Sequence, residues 1–153
     1  MRTIAHISDL HFGTEIPAVV DGLAADLQAL APSVLVVSGD LTQRARSGQF
    51  KLARDYLARL PLPQLVIPGN HDVPFYDVAR RFLAPFTRFR RFIGPTLNPI
   101  FADEELFVLG LNTARSFTWQ SGRISSEQIA LLRTRLIEAG SRLKVVVTHH
   151  PFV

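Results

Sequence analysis

Four short apolar runs, each giving way within a few residues to a carboxylate, an imidazole or a carboxamide, set the terms on which this chain can fold. Thr3 to Ser8 leads into Asp9 and His11, and Val34 to Ser38 leads into Gly39-Asp40. Gln64 to Ile67 leads into Gly69-Asn70-His71-Asp72, and Arg142 to Thr148 into His149-His150. Runs this short, rich in β-branched residues and bounded by turn residues, read as buried strands. Between the first two, Ile16, Val19, Val20, Leu23, Leu27 and Leu30 recur at helical spacing; Phe50, Ala53, Leu57 and Leu60 do the same between the second and third. Strands alternating with helices predict an α/β fold, a largely parallel sheet flanked by helices, because parallel neighbours require a crossover.

Glu105 to Asn112 predicts a further strand. Ser125 opens a helix with a capping box, since Gln128 stands where its side chain can reach back to the cap amide. Ile129, Leu132 and Leu136 are expected to be that helix's buried stripe, with Gly140 past its end. Phe82, Phe86, Phe89 and Phe92 fall three or four apart and predict the buried stripe of a helix whose arginines, Arg80, Arg81, Arg88, Arg90 and Arg91, face water. The same run, arginine interleaved with phenylalanine, can also be drawn as a nucleic-acid surface. No repeat, linker or low-complexity tract divides the chain, so residues 1–153 read as one domain.

Composition excludes several classes. At 47% hydrophobic and 20% charged the chain lies far from the disordered corner. With no cysteine there is no disulfide scaffold, thiolate zinc site or cysteine nucleophile, and a reducing compartment is accommodated. No apolar run nears the ~18 residues of a membrane span, and Asp9 and His11 interrupt any signal-peptide core, so a soluble, cytoplasmic protein is expected. A formal charge of +4 favours anionic ligands only modestly.

In open α/β sheets ligands gather beyond the carboxyl ends of the strands, which is where the polar residues above fall. Imidazole nitrogen mixed with carboxylate oxygen, without sulfur, suits manganese, iron, zinc or cobalt better than calcium or magnesium. In Asp9-Leu10-His11 an extended chain would point both side chains the same way, able to grip one ion. Asp40, with two oxygens, could bridge two. His6, inside the first run, is expected to be a core or partly buried histidine. Arg115, on the loop after Asn112, is either a contact to a substrate phosphate or a solvent-exposed loop arginine.

Asp9-Leu10-His11, Gly39-Asp40, Gly69-Asn70-His71-Asp72 and His149-His150-Pro151 resemble, in order and separation, the first four motifs of the calcineurin-like metallophosphoesterases. Leu111 to Ala114, followed by Gly122-Arg123-Ile124-Ser125 and Gln128, is similar to bacterial members near the class III cyclic nucleotide phosphodiesterases and related glycerophosphodiesterases. The resemblance implies a sandwich of β-sheets with outer helices and a binuclear centre of two divalent ions. Asp9 and His11 would hold one ion, Asn70 and His149 the other, with Asp40 between them. His71 would be catalytic, assisting the leaving oxygen; Asp72 would accept from and orient His71, and His150 would stand behind the ligands. The family's later Gly-His-x-His motif has no match here, so the domain is expected to be the N-terminal portion of a longer enzyme, truncated on its C-terminal side. The implied activity is hydrolysis of small-molecule phosphodiesters such as 3′,5′-cyclic nucleotides. A nuclease or phosphomonoesterase of the same fold, or an incompetent fragment acting only through binding, is the alternative; nucleic acid ranks below a small-molecule substrate, and a homo-oligomer is left open.

Overall fold

The computed structural model describes residues 2–119 and 121–151. Its strands are β1 (Ile4–Ile7), β2 (Val34–Val37), β3 (Gln64–Val66), β4 (Ile100–Ala102), β5 (Leu106–Leu111) and β6 (Leu143–Thr148). Its α-helices are α1 (Pro17–Leu30), α2 (Ser47–Ala58), α3 (Val78–Leu83), α4 (Thr87–Phe92) and α5 (Ser126–Glu138). They make two three-stranded sheets, the sandwich that the family resemblance implies, where the strand pattern alone gives one sheet. β1-β2-β3 is wholly parallel, with Ile4 opposite Val34 and Leu35 opposite Gln64. In β4-β5-β6 the first pair is antiparallel and the second parallel.

Strand alternation explains the layering. Leu35 and Val37 point to one face of the first sheet, into a core shared with α1, α2 and α4 through Leu27, Phe50, Ala53, Leu57 and Phe89. Val34 and Val36 point to the other, against Leu106, Val108 and Val147 of the second sheet. Phe107, Leu109 and Leu111 face outward from that sheet onto Leu132 and Leu136 of α5. The order is helices, sheet, sheet, helix, and β2 and β5 are apolar on both faces because each of their faces is covered. Gly110 of β5 leaves no room for a side chain against the first layer: a Cβ there would lie 2.5 Å from Ile67 Cγ2 and 3.0 Å from Leu65 Cδ2.

Four details depart from the sequence reading. The phenylalanine stripe is broken into α3 and α4, since Pro85 disfavours helix in the residue before it; Phe89 is buried but Phe82 is exposed. Arg81, expected to face water, is only 4% exposed. His6 is exposed, bonding through Nε2 to Ser38 Oγ at 2.7 Å. In α5, Ile129 is exposed, so the buried side of that helix narrows to Leu132 and Leu136.

Candidate metal centre

The loops leaving β1 and β2 run side by side beyond the sheet. Asp9, His11 and Phe12 donate their backbone N–H to the carbonyls of Gly39, Asp40 and Leu41 at 2.9 to 3.1 Å. Asp9, His11 and Asp40 all adopt left-handed backbone, φ +59°, +47° and +52°, which costs a non-glycine residue free energy and concentrates where the surroundings impose it. This replaces the extended alternation expected of Asp9-Leu10-His11. The two side chains still meet, His11 Nε2 lying 3.6 Å from Asp9, but because the chain turns at both residues.

Glycine makes the convergence sterically available. Gly39 (φ +103°) packs so closely that a Cβ would fall 2.7 Å from Gly69 N and 2.8 Å from His149 Nδ1. A Cβ on Gly69 would meet Asp40 Oδ1 at 2.1 Å. These contacts bring the turns after β2, β3 and β6 into one cluster.

Within it, one oxygen each of Asp9 and Asp40 and a ring nitrogen of His149 lie within 4.8 Å of one another, and so do ligand atoms of His11, Asp40 and His71. Asp40 is common to both groups, its two oxygens 3.4 Å from His149 Nε2 and 3.8 Å from His11 Nε2. Asp9 lies beside His11 and Asn70 beside His149, with Asp40 between the two pairs; Asp9 also approaches His149, and His11 approaches His71. His149 Nδ1 lies 2.7 Å from the Ser38 carbonyl, which can only accept, so that nitrogen carries the proton and Nε2 holds a lone pair. The lone pair faces Asn70 Oδ1 at 3.0 Å and the Asp40 carboxylate. Acceptor against acceptor in a site where Asp40 is 5% exposed calls for a cation or a proton between them. His11 Nδ1, buried without a partner among the described residues, is a second unsatisfied donor or acceptor here. Mixed nitrogen and oxygen lone pairs at this spacing fit divalent ions of the manganese–iron–zinc group.

His71 is anchored on the same logic. Its Nδ1 lies 2.9 Å from the Gln43 carbonyl and therefore donates, leaving Nε2 as the nitrogen that can take or release a proton. Its backbone N–H donates to Asp40 Oδ1 at 2.9 Å, and its ring meets that of His11 edge-on at 4.8 Å.

Asp72 does not orient His71. Fully buried, its carboxylate accepts from the backbone N–H of Leu41 (3.1 Å), Thr42 (2.9 Å) and Gly69 (3.0 Å) and from Thr42 Oγ1 (2.9 Å). It ties the turn after β2 to the turn after β3. Burial pushes its pKa up to about 6, with the neighbouring Asp40 charge adding to the rise and the Gly69 and Leu41 amides opposing it. His150 is buried, with Nδ1 2.7 Å from Thr113 Oγ1 and its ring 4.9 Å from that of His149. Burial, then the neighbouring His149, lowers its pKa, so it stands neutral behind the ligand cluster. Arg115 bonds through its guanidinium to the carbonyls of Asn112 and Ala114 and to Gln128, linking that loop to α5.

Sequence reasoning overlooked Gln43, Arg44, Phe75, Arg81 and Trp119, which line a cavity of about 220 Å³ together with Asn70 and His71. Arg81 had been grouped with surface arginines, and the aromatic residues lie on loops that carry no periodic pattern. The only signal was proximity of Gln43 and Arg44 to Asp40 and of Phe75 to His71 along the chain.

A sequence profile of the calcineurin-like phosphoesterases matches residues 2–153. The chain is 28% identical to a glycerophosphodiester phosphodiesterase of Enterobacter lignolyticus, over 97% of this chain and 56% of that protein. It is 27% identical to a probable cyclic nucleotide phosphodiesterase of Synechococcus, over 97% of this chain and 58% of the relative. It thus spans little more than half the length of these relatives. Among solved structures, the crystal structure of phosphopantetheinyl hydrolase from Mycobacterium tuberculosis superposes with a TM-score of 0.53 at 18% identity, covering 98% of this chain and 68% of that one. That likeness is one of fold.

Proposed function

Because the chain belongs to the calcineurin-like phosphoesterase family, we propose that it carries the catalytic half-site of a binuclear, metal-dependent phosphodiesterase acting on small-molecule phosphodiesters such as 3′,5′-cyclic nucleotides. The observation that carries this reading is the facing of lone pairs at Asp40, Asn70 and His149, beside the cluster of Asp9, His11 and Asp40. Asp9, His11, Asp40, Asn70 and His149 would hold two divalent ions. When bound, such ions supply Lewis-acid charge at the phosphoryl oxygens and a nucleophile available near neutral pH.

The protein's own groups do the rest. Asp40, held by the His71 amide and by close packing against Gly69, keeps both of its oxygens directed into the site. His71, its Nδ1 fixed by the Gln43 carbonyl, keeps Nε2 free to exchange a proton with the leaving oxygen, a role worth about 10²- to 10⁴-fold. His150 and Thr113 support His149 from behind.

Two relatives of nearly equal identity carry different names, so glycerophosphodiesters are the second substrate class, ahead of single-stranded DNA and phosphomonoesters. Among the described residues no helix is long and apolar enough to cross a membrane, and the cysteine-free composition suits the cytoplasm, where we place the reaction. The test is a hydrolysis screen of the protein that carries this chain, with manganese, across those four classes. Turnover of a cyclic nucleotide or glycerophosphodiester that stops on chelation is expected; turnover indifferent to chelator would refute the reading.

A further inference from the structure

Beside His71 the protein builds an aromatic wall that no step above uses. Phe75 and Trp119 meet edge to face, ring centroids 4.1 Å apart, yet remain 45% and 52% exposed. They line the 220 Å³ cavity whose other side is formed by Asn70 and His71. Large aromatic rings left half in water beside a polar cluster are the unusual observation, since exposed apolar area of this kind marks a place for a ligand.

The wall is held in place. Arg81 donates to the carbonyls of Ser116 (2.7 Å), Pro74 (3.1 Å) and Thr118 (2.9 Å), joining the segment before α3 to the loop that carries Trp119. Its guanidinium carbon lies 4.2 Å from the Trp119 ring centre, stacking on the indole. At the cavity's rim Arg44 is engaged by a phenol, Tyr76, at 2.8 Å, and among the described residues by no carboxylate, so its charge stays available to an anion.

We propose that this cavity is a subsite for one organic arm of the phosphoester, specifically a planar aromatic ring packed against the Trp119–Phe75 pair, stacked on one ring and edge-on to the other, with Arg44 drawing in the attached phosphate. The inference rests on the phosphoesterase reading of the adjoining site and names the substrate feature that site selects. The size fits an arm and not a whole molecule, because sites enclosing drug-sized ligands run to about 300–1,000 Å³. Base–aromatic stacking is indifferent to ring identity, so the ring is a simple aryl group or a nucleobase.

Trp119 is the sole tryptophan of the chain and reports on the cavity directly. The experiment uses two matched pairs in the presence of manganese: phenylphosphonate against cyclohexylphosphonate, and adenosine 5′-phosphate against ribose 5-phosphate. Calorimetry reads affinity and tryptophan emission reads location. In at least one pair the planar member should bind on the order of 10-fold more tightly, the worth of one stacked ring, and quench Trp119. Which pair responds distinguishes aryl from nucleobase. Trp119→Leu should abolish the preference without changing the affinity of the non-planar partner. Phe117→Leu, altering an 85% exposed ring that does not line this cavity, should preserve it. Equal binding within both pairs, or a preference that survives Trp119→Leu, overturns the subsite while leaving the phosphoesterase reading intact. No binding of any of the four overturns both.

Discussion

Replacing Asp72 tests what the carboxylate behind the candidate centre does. Its four acceptor contacts reach three backbone N–H groups and one hydroxyl, all in buried turns. Asp72→Ala leaves the amides of Leu41, Thr42 and Gly69 without partners. At about 1–3 kcal/mol for each stranded buried donor, the loss should be at least about 3 kcal/mol, a large share of the roughly 5–15 kcal/mol that holds a domain together. Asp72→Asn is predicted to be milder for a geometric reason. One carboxylate oxygen serves Leu41 and Gly69, the other serves Thr42 N and Thr42 Oγ1. An asparagine that puts its oxygen toward Leu41 and Gly69 strands only the Thr42 amide, since the Thr42 hydroxyl can turn to accept. The cost is then that of one orphan, about 1–3 kcal/mol. Urea unfolding in chelator reads both variants, and at about 2–4 °C per kcal/mol for a domain of this size the alanine variant should melt some 6–12 °C lower. An alanine variant within about 1 kcal/mol of the parent, or an asparagine variant as damaged as the alanine, would refute the reasoning. Were Asp72 instead an orienting partner of His71, turnover would fall with stability unchanged.

Asp40 stands between the donors proposed for both ions, its two oxygens facing His11 and His149, so Asp40→Asn should lower manganese occupancy at every site, whereas Asp9→Asn and His11→Ala should both weaken one site more than the other; equilibrium dialysis with metal analysis decides. His71→Ala should leave metal content nearly intact and lower kcat by about 10²-fold or more, with a smaller loss for a nitrophenyl ester whose leaving oxygen needs no proton. Equal losses for good and poor leaving groups would remove the general-acid role. The backbone N–H groups of Leu106 and Glu105, followed by the Arg2 charge, hold the Asp103 carboxyl below the usual carboxylate range. A depressed folded pKa adds stability above the unfolded value that is lost as pH falls through the folded one; Asp103→Asn should therefore flatten the acid limb of the stability curve below about pH 4, read as the change in urea midpoint with pH.

What the sequence could convey depended on whether a residue's neighbour lay along the chain or across it. The β2 run is apolar on both faces, and that already implies cover on both sides; the structure supplies helices on one and a second sheet on the other. The division into two sheets escaped the pattern because β4 is three residues long, with Ile100 exposed, so no hydrophobic run announces it. At the centre, residue types are readable as donors because they end strands, but the backbone that gathers them is not. Extended chain would bring Asp9 and His11 together by alternation; left-handed φ at both residues brings them together by a turn, and also sets Asp9 near His149, 140 positions away in sequence. Asp72 and Arg81 share a physical cause for being misread: each buries its charge against backbone groups of distant turns. Backbone partners leave no trace in residue identity, since every residue offers the same carbonyl and nearly every one the same amide. A buried charge satisfied by main chain is therefore the feature least accessible to sequence reading, and here it is such charges that set the turns of the candidate metal centre and the wall beside it.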